Sequence, residues 1–282
     1  MVGHKGVLFS VNFDGETDTV ISTSDDRSVR TWKLERGQHF ERKHVDSVRH
    51  LFSSCQIGAQ HELYGHEARV WNSLVVPGQS AGDGCRRIAT LGEDSRICLW
   101  NLTSGDLLGQ CEAHQGASVW SLDWIAERNS LVSGGGDGSI RLWNIADHFA
   151  EPVCHPLKFL ADDGDEDIPR LVAATTRAHW TITLNGTLYG WNDDPSVGPA
   201  SWIRVFHDQS MRSGCVVDAY ANSMAVGSLC GSVLVFSCSQ WSLLSSIIYS
   251  PIGTMNFSLF NCPLSMVRQV RGASWTSDCG AG

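Results

Sequence analysis

The run Asp137-Gly138-Ser139-Ile140-Arg141-Leu142-Trp143 has two echoes upstream, Asp26-Arg27-Ser28-Val29-Arg30-Thr31-Trp32 and Asp94-Ser95-Arg96-Ile97-Cys98-Leu99-Trp100. In each, Trp stands six residues after Asp, so the three share one frame and form a repeat. Apolar and polar residues alternate from Ser139 to Trp143 and from Val29 to Trp32, the period of a strand with one buried face. A second strand precedes the Asp, over Thr19 to Ser24 and over Ser130 to Ser133, so the Asp opens a tight turn. After Trp100, Asn101 to Asp106 is rich in turn formers and Leu107 to Cys111 is the next strand.

Each frame has a His upstream, in Gly3-His4, Gly65-His66 and Ala113-His114, at 22, 28 and 23 residues before the Asp. The middle gap is longer because Pro77 to Gly84 adds a Gly/Pro/Ser-rich loop. Two weaker copies end at Trp191, with Asn185 in the Asp place, and at Phe236, with Cys230 there. From Trp100 the ring positions advance by 43, 48 and 45 residues, the length of a four-stranded propeller blade. Trp32 to Trp100 is 68 residues, so His39 to Tyr64 is either a long connection or a degenerate strand with an insertion. The blade motifs are then 3–32, 65–100, 113–143, about 168–191, about 214–236 and a degenerate 252–275, within one domain over 1–282. No amphipathic helix of ten residues or more is evident, and the fold class expected is all-β.

Composition supports this reading. The 28 Gly and 11 Trp suit tight turns and one large ring recurring at a fixed place. With 42% apolar and 18% charged residues among 282, the chain has a core to bury and too little charge for disorder. A net charge of −9 argues against coating nucleic acid or anionic membrane by bulk attraction, so RNA contact must be local. No run reaches the length of a membrane span, and Met1 to Phe13 lacks the signal-peptide pattern, so a cytoplasmic protein without membrane contact is expected. The ten Cys include no CxxC pair and no zinc spacing. Cys98, Cys111 and Cys230 lie among apolar neighbours and read as buried, reduced thiols.

Screening for chemistry finds no catalytic residue, no cofactor-binding loop and no metal set. Gly134-Gly135-Gly136-Asp137-Gly138 superficially matches a phosphate-cradling loop, but such a loop must open a helix, and here a strand follows. The acidic run Asp162 to Asp167 lacks the spacing and closing Glu of a calcium loop and reads as a solvated surface loop. Sequons at Asn101, Asn185 and Asn256 are discounted in a chain expected inside the cell. From Arg27 to His50 seven basic residues face three acidic ones. Arg36, Arg42, Lys43 and Arg49 in this window are candidates for partner or RNA contact, weighed against a solvated outer strand and loop.

These residues resemble the WD-repeat family over roughly residues 3 to 236. The resemblance implies a WD-repeat β-propeller with about six blades visible in an incomplete seven-bladed ring. It also implies buried structural tetrads that join a Ser/Thr to His4, Asp26 and Trp32, to His66, Asp94 and Trp100, and to His114, Asp137 and Trp143. The Trp is followed by Lys33, Asn101 and Asn144, never the family's Asp, and blades four and five lack the tetrad.

A closer resemblance lies in GHKGVLFSVNF, DRSVRTWK, GHEARVW, GEDSRICLW, HQG and GDGSIRLWN, which look like the amino-terminal propeller of the WD repeat-containing protein 6 family. Ala68-Arg69-Val70-Trp71 after Gly65-His66 is outside the general WD pattern and is its most specific marker. That family is the accessory subunit of a tRNA 2′-O-ribose methyltransferase. The resemblance implies a non-catalytic scaffold whose partner is the catalytic methyltransferase subunit, with S-adenosylmethionine bound by that partner. It further implies help in positioning tRNA for methylation of wobble nucleotide 34, and no cofactor on this chain. A general interaction scaffold, or a ubiquitin-ligase or signalling adaptor, is the alternative. The Trp-Asp-x-Arg run of one ligase receptor type is absent at Trp32-Lys33-Leu34-Glu35, Trp100-Asn101-Leu102-Thr103 and Trp143-Asn144-Ile145-Ala146. The family's members are longer, so a fragment or truncated form is expected, with a strand edge open where the ring should close.

Overall fold

The computed structural model describes residues 3–36, 55–77, 86–145, 153–155, 159–160, 166–175, 179–192, 201–212, 216–220, 223–228, 231–237, 242–249 and 255–259. Among these, the strands form six antiparallel sheets, five blades and one two-stranded ribbon, in which chain neighbours are sheet neighbours. Blade one is β1 (Leu8–Asp14), β2 (Thr19–Ser24), β3 (Ser28–Arg36) and β4 (Cys55–Tyr64). Blade two is β5 (Val70–Val76), β6 (Arg87–Gly92), β7 (Arg96–Asn101) and β8 (Leu107–Glu112). Blade three is β9 (Val119–Ile125), β10 (Ser130–Gly135), β11 (Ile140–Asn144) and β12 (Val153–His155). A two-stranded ribbon, β13 (Phe159–Leu160) and β14 (Glu166–Asp167), precedes blade four, which is β15 (Pro169–Ala174), β16 (His179–Thr183), β17 (Thr187–Asn192) and β18 (Ser201–His207). Blade five is β19 (Val216–Tyr220), β20 (Ser223–Gly227), β21 (Ser232–Ser237), β22 (Ser242–Tyr249) and β23 (Met255–Leu259). The helical elements among the described residues are two 3₁₀ turns, Ala126–Arg128 and Gln209–Arg212.

The chain is all-β, a propeller of the WD type. Of the two readings of His39 to Tyr64, the structure contains the strand: β4 pairs along the whole of β3, from Ser28 opposite Tyr64 to Arg36 opposite Cys55. Residues 37–54 lie outside the described set. So does most of the unit expected over 252–275, whose described part, Met255–Leu259, pairs with Ser242–Tyr249 as the outer strand of blade five.

The core sits between blades. Ile21, Val29 and Leu63 of blade one meet Val70, Ile88, Cys98 and Trp100 of blade two. Leu91 and Ile97 meet Val119, Leu122, Leu131 and Trp143 across the next interface. Val132 and Ile140 meet Val172 and Tyr189, and Trp180 and Leu188 meet Met224, Leu234 and Phe236. Each such side chain contributes about 1.5–3 kcal/mol by leaving water, so the repeat's rings act as joints between blades. Gly65 is dictated by the same packing, since a Cβ there would lie 2.8 Å from Trp100 Cη2.

The pleat decides which side of each inner strand meets which neighbour. Asn12 Nδ2 donates to Ser73 O at 2.6 Å, so Asn12 faces blade two and Ser73 faces blade one. Val11 and Phe13, flanking Asn12, point the other way, toward the side where each later blade meets its predecessor. In blade one these side chains are exposed, Val11 at 55% and Phe13 at 53%.

Candidate functional site

The tight turns bring the repeated His, Asp and Trp together through a hydroxyl on the second strand. In blade one, His4 Nδ1 lies 2.9 Å from Asp26 Oδ2 and His4 Nε2 2.9 Å from Ser22 Oγ, which accepts from Trp32 Nε1 at 2.8 Å. In blade two, His66 Nδ1 is 3.0 Å from Asp94 and Nε2 is 2.9 Å from Thr90 Oγ1, which accepts from Trp100 Nε1 at 2.9 Å. In blade three, His114 Nδ1 is 2.7 Å from Asp137 and Nε2 2.8 Å from Ser133 Oγ, which accepts from Trp143 Nε1 at 2.9 Å. The positions of Ser22, Thr90 and Ser133, ten residues before each Trp, complete a chain from turn to core.

The carboxylates also cap the backbone. Asp26 accepts from Lys5 N and Ser28 N, Asp94 from Glu67 N and Arg96 N, and Asp137 from Ser139 N. Burial pushes each carboxyl up, but hydrogen bonds from Ser28, Lys5 and His4 on Asp26, from His66 on Asp94, and from His114 and Ser139 on Asp137 outweigh it. All three sit below the usual carboxylate range. Arg141 adds a contact to Asp137 at 2.8 Å. Groups so fully engaged are anchors, with no lone pair directed at a substrate. Gly135 belongs to this anchor, because a Cβ there would overlap His114 Cγ at 2.3 Å.

Blade four contains a substitute that sequence reading missed. Asp167, the last residue of the acidic run expected to be a solvated loop, is buried and accepts from Thr183 Oγ1 at 2.6 Å and from Asn185 N at 3.1 Å. This corrects the solvated-loop reading at Asp167, while residues 162–165 lie outside the described residues. The carboxylate that pins this turn comes from the segment entering the blade, 18 residues before Asn185, so no Asp–Trp frame reveals it.

The Gly-rich run Gly134 to Gly138 is strand end and turn, with Gly138 at φ +75°. Cys98 and Cys111 are free thiols pushed up to about 12 by burial. Cys230 lies outside the described residues. In the basic window, Arg30 pairs with Glu62 and Lys33 donates to Thr17 O. Arg36 ends β3, and Arg42, Lys43 and Arg49 lie outside the described residues. Among the described residues, no three His, Cys, Asp or Glu side chains are grouped to hold a metal, and no helix is long and apolar enough to cross a membrane.

Sheet order, blade spacing and the His–Asp–Trp turns define a propeller fold of the WD type, and the sequence pattern of the family "WD domain, G-beta repeat" matches residues 1–33 and 105–144. The crystal structure of the RRP9 WD40 repeats superposes with a TM-score of 0.61 over 90% of this chain and 69% of that one, at 19% identity. The chain is similar to the tRNA (34-2'-O)-methyltransferase regulator WDR6 of Mus musculus, 26% identical over 222 residues, covering 77% of this chain and 17% of that protein. The Drosophila melanogaster protein of the same name is 27% identical over 149 residues, covering 53% of this chain and 13% of the relative. The chain thus spans less than a fifth of these relatives.

Proposed function

We propose that this chain is a non-catalytic scaffold subunit that binds a tRNA 2′-O-methyltransferase and helps position tRNA for ribose methylation of wobble nucleotide 34. The observation that carries this reading is the similarity, over 77% of the chain, to a relative named as a regulator of that enzyme class. The site chemistry supports the division of labour. His4, His66 and His114 spend both ring nitrogens on a carboxylate and a hydroxyl within the blade, which leaves them structural. S-adenosylmethionine and the transfer step belong to the partner, in the cytoplasm. With a net charge of −9, protein docking is the chain's first task and tRNA contact the second.

The test is mass spectrometry of tRNA nucleosides from cells with and without the protein, beside co-elution of the purified chain with a 2′-O-methyltransferase. Loss of 2′-O-methylation at nucleotide 34 is expected. Unchanged methylation there would reduce the reading to a general protein-interaction scaffold.

A further inference from the structure

The inner strands of successive blades lie against one another, and the register of that contact repeats. In each of the first four blades the inner strand skips one residue in pairing with the second strand, a bulge at Phe9, Trp71, Trp120 and Arg170. Beyond the bulge the blades share one register, and blade five, which has no skip, shares it too. The residue ten before the repeat's ring, which is Ser22, Thr90, Ser133, Thr181 or Val226, lies opposite Val11, Ser73, Leu122, Val172 or Val217. These five positions are equivalent and face the preceding blade, so the residues before and after each face the following one.

The joint of blades three and four shows what this register does. Ser121 Oγ accepts from Val172 N at 2.9 Å, and Asp123 accepts from Ala174 N at 2.6 Å. The N–H groups of Val172 and Ala174 therefore point away from β16, along the free edge of β15. The same register turns those of Val11 and Phe13 away from β2.

Two faces built to this pattern have no blade against them among the described residues. The incoming face of blade one presents Val11 and Phe13, both more than half exposed, where blade four has the buried Val172 and Ala174. The outgoing face of blade five presents Val216, 72% exposed, and the exposed Asp218, where blade three has Ser121 and Asp123. In the geometry of the β9–β15 joint, Val216 falls against Val11 and the Asp218 carboxylate against Phe13 N. Apolar side chain meets apolar side chain, and acceptor meets donor. Neither face matches itself in this way: two incoming faces bring N–H groups together without an acceptor, and two outgoing faces oppose their Asp218 carboxylates.

We propose that the outgoing face of blade five in one copy of this chain docks on the incoming face of blade one in a second copy. In that head-to-tail contact Val216 packs on Val11, and Asp218 accepts from Phe13 N. The exposure of both faces shows that they do not meet within one copy. The contact uses a different patch on each partner, so a pair still has one free face at each end and can add further copies. The inference goes beyond the methyltransferase reading and does not rest on it.

Its test is sedimentation equilibrium of the full chain with two complementary variants. Val11→Glu blocks the incoming face by setting a carboxylate near Asp218 of the other copy, and it leaves the outgoing face intact. Val216→Glu does the reverse. Both positions are exposed, so each variant should melt with the parent. The parent's mass should rise with concentration past two copies, and each variant alone should keep the mass of one chain. An equimolar mixture of the two has one good joint, and should form a one-to-one dimer that grows no further. Asp218→Ala should weaken association of the otherwise unchanged chain by about tenfold, through loss of a charge-assisted hydrogen bond. A parent that stays a single chain, a folded Val216→Glu chain that associates as the parent does, or a mixture that stays monomeric would each overturn the proposal. None of these readouts depends on tRNA methylation, so the two readings fail separately.

Discussion

At Asp137 one carboxylate serves His114 Nδ1, Ser139 N, Ser139 Oγ and Arg141 Nη2. Asp137→Ala removes the shared acceptor and leaves these donors largely buried, at a cost of about 3 kcal/mol. For a chain of this size that corresponds to a melting point lower by roughly 10 °C, read by circular dichroism. Asp167→Ala should lower it comparably, since Thr183 Oγ1 and Asn185 N lose their acceptor in the same way, although no repeat frame marks Asp167. An unmoved melt for Asp167→Ala would mean that blade four is held by its apolar interfaces alone. The anchoring carboxyls also fix the acid limb of stability. Because Asp26, Asp94 and Asp137 titrate lower in the folded chain than in the unfolded one, their contribution is complete above about pH 4 and is lost as pH falls below it.

Between elements, the joint of β9 with β15 behaves in the opposite sense. Asp123 accepts from Ala174 N of the next blade at 2.6 Å and from Trp124 N at 2.8 Å, while burial, aided by the charge of Asp218, raises its carboxyl to about 6. The folded chain holds the proton over a window, from about 4 to 6, in which the unfolded chain has released it, so stability falls as pH rises through that window. The full difference is about 3 kcal/mol. Asp123→Asn abolishes this titration. The melting point of the variant minus that of the parent should therefore rise by several degrees between pH 4.5 and pH 7.5, and a constant difference would show that Asp123 does not titrate there. Asp123 illustrates which features the sequence exposes and which it conceals. The Asp–Trp frame and the upstream His are legible because turn chemistry and strand alternation are local, and the structure sets His4, His66 and His114 against Asp26, Asp94 and Asp137. The bond from Ala174 to Asp123 and the bond from Asn12 to Ser73 join residues 51 and 61 positions apart, set by how one blade lies on the next. The bulges stand between these limits. An aromatic residue recurs five or six positions after His4, His66 and His114, but only the skipped pairings between the inner and second strands show that Phe9, Trp71 and Trp120 bulge out of the pleat.

At the scale of the whole molecule, each interface between successive blades covers the inner strand's predecessor-facing residues wholly or in part. Ser73 and Leu122 are buried at that face in blades two and three. Val11 and Phe13 occupy the equivalent face of blade one and are more than half exposed, with Val7 and Leu8 beside them at 64% and 50%. An apolar stripe of this kind on a sheet face favours association with any similar surface, including another copy of the chain. The expected behaviour in solution is a scattering mass that grows with protein concentration and with added salt, since the attraction is apolar and the charge of −9 opposes it. Replacing Val11 and Phe13 together by Thr puts a residue of good strand propensity at both positions and removes most of the apolar area. Because neither side chain is buried, the double variant should melt within about 1 °C of the parent. Multi-angle light scattering should then report a mass independent of concentration. Concentration-dependent association that persists in the double variant would place the sticky surface elsewhere, and the exposed bulge residue Phe9 would be the next side chain to replace.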